Sequence, residues 1–152
     1  MKDVSIISQE LSEFEKMGDQ FNRVDISRDL EHGHCHCFVA VLEQEEGCGE
    51  QVVGYALYYY AYSTWVGRFV FLEDLYVQPA FRNRGIGTAL WRRVAQVCTS
   101  EDIGRLQWNV LQWNKNAIEF YKKQGAIDLS EKEGWLTYRL EKSQIQNLAN
   151  GK

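Results

Sequence analysis

Between an apolar, strand-like run from Phe69 to Val77 and a helix-like run from Ala89 to Val97, the chain places Arg82-Asn83-Arg84-Gly85-Ile86-Gly87-Thr88. No other stretch restricts the fold as much. A strand that passes through a glycine turn into a helix is the first half of a crossover, and a crossover needs a parallel strand to return to. Gly85 and Gly87 let the backbone approach a ligand closely. They also leave amide N–H groups unpaired at a helix N-terminus, where the macrodipole favours negative charge. By itself a glycine pair also suits a plain tight connection. Here Arg82 and Arg84 flank it, and Glu73-Asp74 interrupts the preceding apolar strand, where carboxylates are costly unless they have a task. The turn therefore reads as an anion cradle. Its spacing fits neither a Walker loop nor a dinucleotide fingerprint.

The rest of the chain supplies the remaining layers. Val4, Ile7, Leu11 and Phe14 have helical spacing over residues 3–16, with Gly18 as a stop. Ser27 reads as the N-cap of a second short helix, with Glu31 near the position of a capping partner. Strands are expected at 36–42, 51–62, 67–77, 105–111 and 135–140, from their β-branched and aromatic content. Pro79 belongs to the loop entering the glycine turn. Helices are expected from the turn to about Cys98 and over 114–124, the latter ended by Gly125. Antiparallel strands followed by a βαβ crossover give an α/β class with a mixed sheet.

At 152 residues and 45% apolar content, the chain is expected to form a single domain over 1–152 with a real core. A net charge of −4 argues against a nucleic-acid surface and suits small cations. No stretch approaches the ~18 apolar residues of a membrane span. The start MKDVSIISQE lacks a signal peptide's pattern, so a soluble, cytoplasmic protein without a membrane partner is expected. The segment from His32 to Cys37 has the residue types of a metal site. On a strand, His34 and His36 point to one face and Cys35 and Cys37 to the other, so no metal is expected and the thiols read as buried.

Arg82-x-x-Gly85-x-Gly87 resembles the acetyl-CoA pyrophosphate loop of the GNAT superfamily of N-acetyltransferases. Trp113-Asn114-x-x-Ala117-x-x-Phe120-Tyr121-x-x-x-Gly125 resembles that superfamily's second motif. Leu72-Glu73-Asp74, Val53-Gly54-Tyr55, Tyr62-Ser63-Thr64-Trp65-x-Gly67 and the segment from Gly125 to Trp135 extend the likeness to the spermidine/spermine (diamine) acetyltransferase family over nearly the whole chain. With Phe14-Glu15-Lys16, the thialysine branch is the more similar.

The resemblance implies a GNAT fold, a mixed and mostly antiparallel sheet flanked by helices. It implies a homodimer that transfers acetyl from acetyl-CoA to a primary amine of a small basic molecule, thialysine or lysine-like, with polyamines as the alternative. On this likeness Leu75, Tyr76 and Val77 meet the coenzyme through their backbone. Arg82, Asn83, Arg84, Gly85, Ile86, Gly87 and Thr88 surround its pyrophosphate, and Asn114, Lys115, Asn116, Ala117 and Tyr121 complete its site. Phe14, Glu15, Glu73, Asp74, Gln107, Trp108, Asn109, Glu133 and Trp135 lie near the amine. Strand alternation sends at least one of Gln107, Trp108 and Asn109 elsewhere.

Acetyl transfer needs a deprotonated amine and a proton for the departing thiolate. An ammonium of ordinary pKa about 10.4 is bound and deprotonated by a carboxylate, directly or through water, and Glu73 is the choice. Spacing alone makes Tyr121 a core aromatic beside Phe120 and Ile118; the resemblance makes it the proton donor. The family pattern opens with an extra edge strand, whereas this sequence starts directly at the first helix. That difference leads to the expectation of a sheet lacking its first edge strand. It also motivates a reading of another class, a catalytically weak acetyl-CoA-binding protein that regulates a partner.

Overall fold

The computed structural model describes residues 10–11, 15, 26–43 and 50–151. Phe14, Cys48 and most of the helix expected over 3–16 lie outside the described residues, although Glu10 and Leu11 are helical. The chain divides into two compact units, Met1–Leu111 and Gln112–Lys152.

The first unit is built on a four-stranded sheet of order β1-β2-β3-β4. Its strands are β1 (His36–Glu43), β2 (Glu50–Ser63), β3 (Gly67–Val77) and β4 (Leu106–Trp108). The first three are antiparallel neighbours, and β4 runs parallel to β3. A short helix α1 (Ile26–Glu31) precedes β1, and the β3-to-β4 crossover is helix α2 (Ile86–Ser100). Since α1 begins at Ile26, Ser27 lies within its first turn and is not its N-cap, a correction to the sequence expectation. The fourth strand is also shorter than expected, because only Leu106–Trp108 pair with Val70–Leu72.

The β2–β3 hairpin closes where Ser63 faces Gly67, whose φ of +76° is a left-handed conformation that favours glycine. One side of the sheet receives α2, whose Leu90, Trp91, Val94 and Cys98 form a buried stripe at helical spacing. Opposite it lie the buried Ala56, Tyr58, Val70 and Leu72. Trp91 meets Trp108 of β4 edge-on with ring centroids 4.6 Å apart. On the other side Tyr55 and Tyr76 form a small core with Leu11, Cys37, Val52 and Leu57 packed against it. Gly54 is needed where the strands approach: a Cβ there would lie 2.8 Å from the Tyr76 carbonyl oxygen.

Two irregularities interrupt the ladders. Ala40 faces Gly54 while Val41 faces Val52, so Val53 is the extra residue of β2. Leu57 faces Asp74 while Tyr58 faces Leu72, so Glu73 is the extra residue of β3.

The second unit is helical in its described residues: α3 (Lys115–Lys123), α4 (Leu129–Glu133) and α5 (Lys142–Ala149). Asn114 caps α3 by accepting from the Ala117 N–H at 3.3 Å, and Asp128 caps α4 by accepting from Ser130 and Glu131. The strand expected over 135–140 is not formed. A strand is defined by a paired neighbour, and none of the described strands pairs with this segment, whose Trp135, Leu136, Tyr138 and Leu140 are exposed.

Candidate active site

The β3 bulge organises the chemistry of the first unit. Strict alternation sends consecutive side chains to opposite faces. At the bulge Glu73 and Asp74 share the place opposite Leu57, so two consecutive carboxylates serve one region of the sheet. The charges bear this out. Burial, followed by repulsion from Glu73, raises the Glu15 carboxyl above its ordinary value. Asp74 rises to about 6, chiefly through burial, with Glu73 and Glu15 adding to the rise. The opposing influence is a hydrogen bond: the Tyr55 hydroxyl donates to Asp74 Oδ2 at 2.9 Å. Three clustered carboxylates, one of them largely buried, concentrate negative charge, which favours a compact cation.

Register explains the Tyr55 contact. Tyr55 faces Tyr76 across the β2–β3 ladder, and Asp74 lies two residues before Tyr76, so phenol and carboxylate form a diagonal cross-strand pair. The sequence reading did not single out Tyr55 for this role. Its signal, a polar aromatic inside an apolar strand, becomes specific only once the register is known.

The anion cradle lies at the far end of β3. Gly85 has φ +82° and Asn83 φ +62°, two left-handed residues within three positions, and Gly85 is the N-cap of α2. It provides no side-chain cap, so the first-turn amides of α2 face the loop with their dipole uncompensated from within the cap. Arg82 Nε donates to the Val77 carbonyl at 2.8 Å, with its guanidinium over the Tyr76 ring, and Arg84 lies over the Phe81 ring. Both arginines are thereby fixed beside the loop. This donor set suits a polyphosphate.

Along the same strand β4 pairs only as far as Leu72. Among the described residues, the β4-side edge of β3 from Glu73 to Val77 therefore has no neighbouring strand, and apart from the Val77 carbonyl, which accepts from Arg82, the backbone groups that point to this edge are of the kind an extended ligand can pair with. Gln107 and Trp108 separate by alternation. Gln107 pairs with Phe71, while Trp108 pairs with Leu72 and turns to Trp91. Asn109 follows the strand and is exposed.

His36 stacks on the Tyr58 ring, whereas Cys37 packs with Tyr55 and Tyr76 on the opposite face. Cys35 and Cys37 are half-buried, a correction to the expectation of buried thiols. Burial pushes the Cys37 thiol up to about 12, with Cys35 and Asp74 adding to the rise, so it is an inert thiol at neutral pH.

In the second unit, Asn114, Lys115, Asn116 and Ala117 form the start of α3, and Tyr121 lies one turn further along, its ring 5.4 Å from that of Phe120. Glu133 ends α4, and its Oε2 accepts from the Trp135 indole N–H at 2.9 Å. That bond ties together two residues expected near the amine.

Residues 5–126 match the family model described as Acetyltransferase (GNAT) family. The chain is 43% identical to the thialysine N-epsilon-acetyltransferase of Mus musculus, over 97% of this chain and 90% of that protein. It is 32% identical to the spermidine/spermine N(1)-acetyltransferase-like protein 1 of Homo sapiens, over 93% of this chain and 21% of that longer protein. Among solved structures, the integron cassette protein VCH_CASS6 from V. cholerae has a TM-score of 0.74 at 26% identity, over 97% of this chain and 90% of that one.

Proposed function

Because the chain belongs to the acetyltransferase (GNAT) family, we propose that it transfers an acetyl group from acetyl-CoA to the side-chain amine of a lysine-like amino acid such as thialysine. The observation that carries this reading is the carboxylate cluster of Glu73, Asp74 and Glu15 at the β3 bulge. Acetyl-CoA supplies the acyl group as a thioester, and the other roles fall to this chain's residues.

The amides at the start of α2, with Arg82 and Arg84, hold the pyrophosphate. Leu75 to Val77 offer backbone groups along the open edge of β3. Asp74 and Glu15 draw in the ammonium, and Glu73 takes its proton, directly or through a water, as the nitrogen attacks the acyl carbon. When the carbon–sulfur bond breaks, Tyr121 returns a proton to the thiolate.

A second reading, acetylation of a polyamine, is supported by the likeness to the human spermidine/spermine relative and by the same carboxylates, which suit a polycation. An assay of CoA release with thialysine, lysine, putrescine, spermidine and spermine separates the two. The expected order places thialysine and lysine first; preference for spermidine would replace the leading reading with the second.

A further inference from the structure

We propose that Tyr55 is a positioning residue of the amine site: its buried hydroxyl holds Asp74 by Oδ2, orienting the carboxylate and keeping it ionised so that Oδ1 is presented to the substrate ammonium. This rests on the reading of Asp74 as part of the amine site.

The geometry is specific. Tyr55 is 0% exposed, yet it bears a polar group that phenylalanine would lack at the same shape. A buried phenol needs a partner, and its 2.9 Å bond to Asp74 Oδ2 supplies one. Burial and the neighbouring carboxylate push the Tyr55 phenol far above its ordinary range, so it remains a donor at every physiological pH. A fixed donor favours the charged form of the acceptor.

That matters here because burial and the neighbouring carboxylates oppose the ionisation of Asp74. From its own strand it is faced by Glu73, from the N-terminal segment by Glu15, from β1 by the neutral thiol of Cys37 and from β2 by Tyr55 itself. Among these groups Tyr55 is the one that favours the carboxylate. Without its hydroxyl, a larger share of Asp74 would be protonated near neutrality, and a protonated Asp74 attracts an ammonium weakly. Because Gly54 adjoins Tyr55 and allows close approach to the Tyr76 backbone, the ladder that sets the diagonal contact is tightly seated.

The test uses the whole protein with acetyl-CoA and thialysine, comparing Tyr55→Phe, Asp74→Asn and the double variant. Tyr55→Phe is expected to raise the amine KM by about 5- to 10-fold, the scale of one typical net hydrogen bond. The KM for acetyl-CoA should change by less than about twofold, since that hydrogen bond does not reach the loop at 82–88. The acid limb of kcat/KM for the amine is expected to move to higher pH, an effect that a merely structural role would not produce. In the double variant the amine KM should match that of Asp74→Asn alone.

An unmoved acid limb, or KM effects that multiply in the double variant, would overturn the proposal. If Tyr55→Phe melts too early to assay, 3-fluorotyrosine at position 55, a stronger donor, is expected to move the limb to lower pH, and no movement overturns the proposal equally. Normal amine KM in Asp74→Asn would reject Asp74 from the amine site, and this inference with it. Impaired Asp74→Asn beside an unaffected Tyr55→Phe would reject the role of Tyr55 alone.

Discussion

Replacing Asp74 with asparagine should make the folded protein more stable while making it a poorer enzyme. The carboxyl moves from an ordinary 3.8 in the unfolded chain to about 6 in the fold, chiefly through burial. Across that interval the folded state binds more protons than the unfolded one, so stability falls as pH rises from about 4 to 6 and the loss is complete above 6. A gap of about two units, at about 1.36 kcal/mol each, gives a cost of about 3 kcal/mol at neutral pH. Asparagine carries no charge to desolvate, and its carbonyl oxygen can still accept from Tyr55. For a chain of this size the gain corresponds to a rise in melting temperature of roughly 6–12 °C at pH 8. At pH 4 the two proteins should melt nearly together. Thermal unfolding of both at intervals between pH 4 and 8, without acetyl-CoA, measures the difference directly. A variant no more stable than the parent at pH 8, or a gap independent of pH, would refute the claim that burial holds Asp74 at an elevated pKa.

Two further substitutions probe the chemistry and the frame separately. Tyr121→Phe should lower kcat by about 100-fold, the scale of a lost general acid, and change the KM for acetyl-CoA by less than about twofold in steady-state assays; unchanged turnover would remove Tyr121 from the proton transfer. Gly54→Ala should destabilise the fold by about 1–3 kcal/mol, because the added Cβ lies 2.8 Å from the backbone oxygen of Tyr76 and the strands must part to admit it. An unchanged urea midpoint would show that the ladder yields there at no cost.

The elements that carry their own boundaries were legible in the sequence. β3 runs from Gly67 to Val77 as expected, because a left-handed glycine starts it and Pro79 follows it. β1 and β2 agree to within a residue or so, since their β-branched and aromatic runs are bounded by polar and small residues in the sequence. Where an element's extent depends on a partner, the sequence misled. Residues 105–111 have strand composition throughout, yet only three find a place beside β3. Residues 135–140 have it too and find no paired neighbour among the described strands.

The same division runs through the site. The glycine turn, its arginines and the acidic pair declare themselves locally. The contact of Tyr55 with Asp74 follows from strand register and the turn of Trp108 toward Trp91 from the packing of α2 on β4, which bring together residues 19 and 17 positions apart in the chain. The bulge at Glu73 was hidden for a related reason: Leu72-Glu73-Asp74-Leu75 reads equally well as two polar residues on opposite faces of an unbroken strand.

Glu73 is supernumerary to the ladder, since the residues on either side of it already face consecutive positions of β2. Excising it would leave Leu72 opposite Tyr58 and Asp74 opposite Leu57, with Leu75, Tyr76 and Val77 keeping their present partners. The proposed base thus occupies a single unit of chain length that the sheet does not count. Catalysis and architecture are separable here by a deletion of one codon, and a lineage could lose the reaction while keeping every other strand pairing in step.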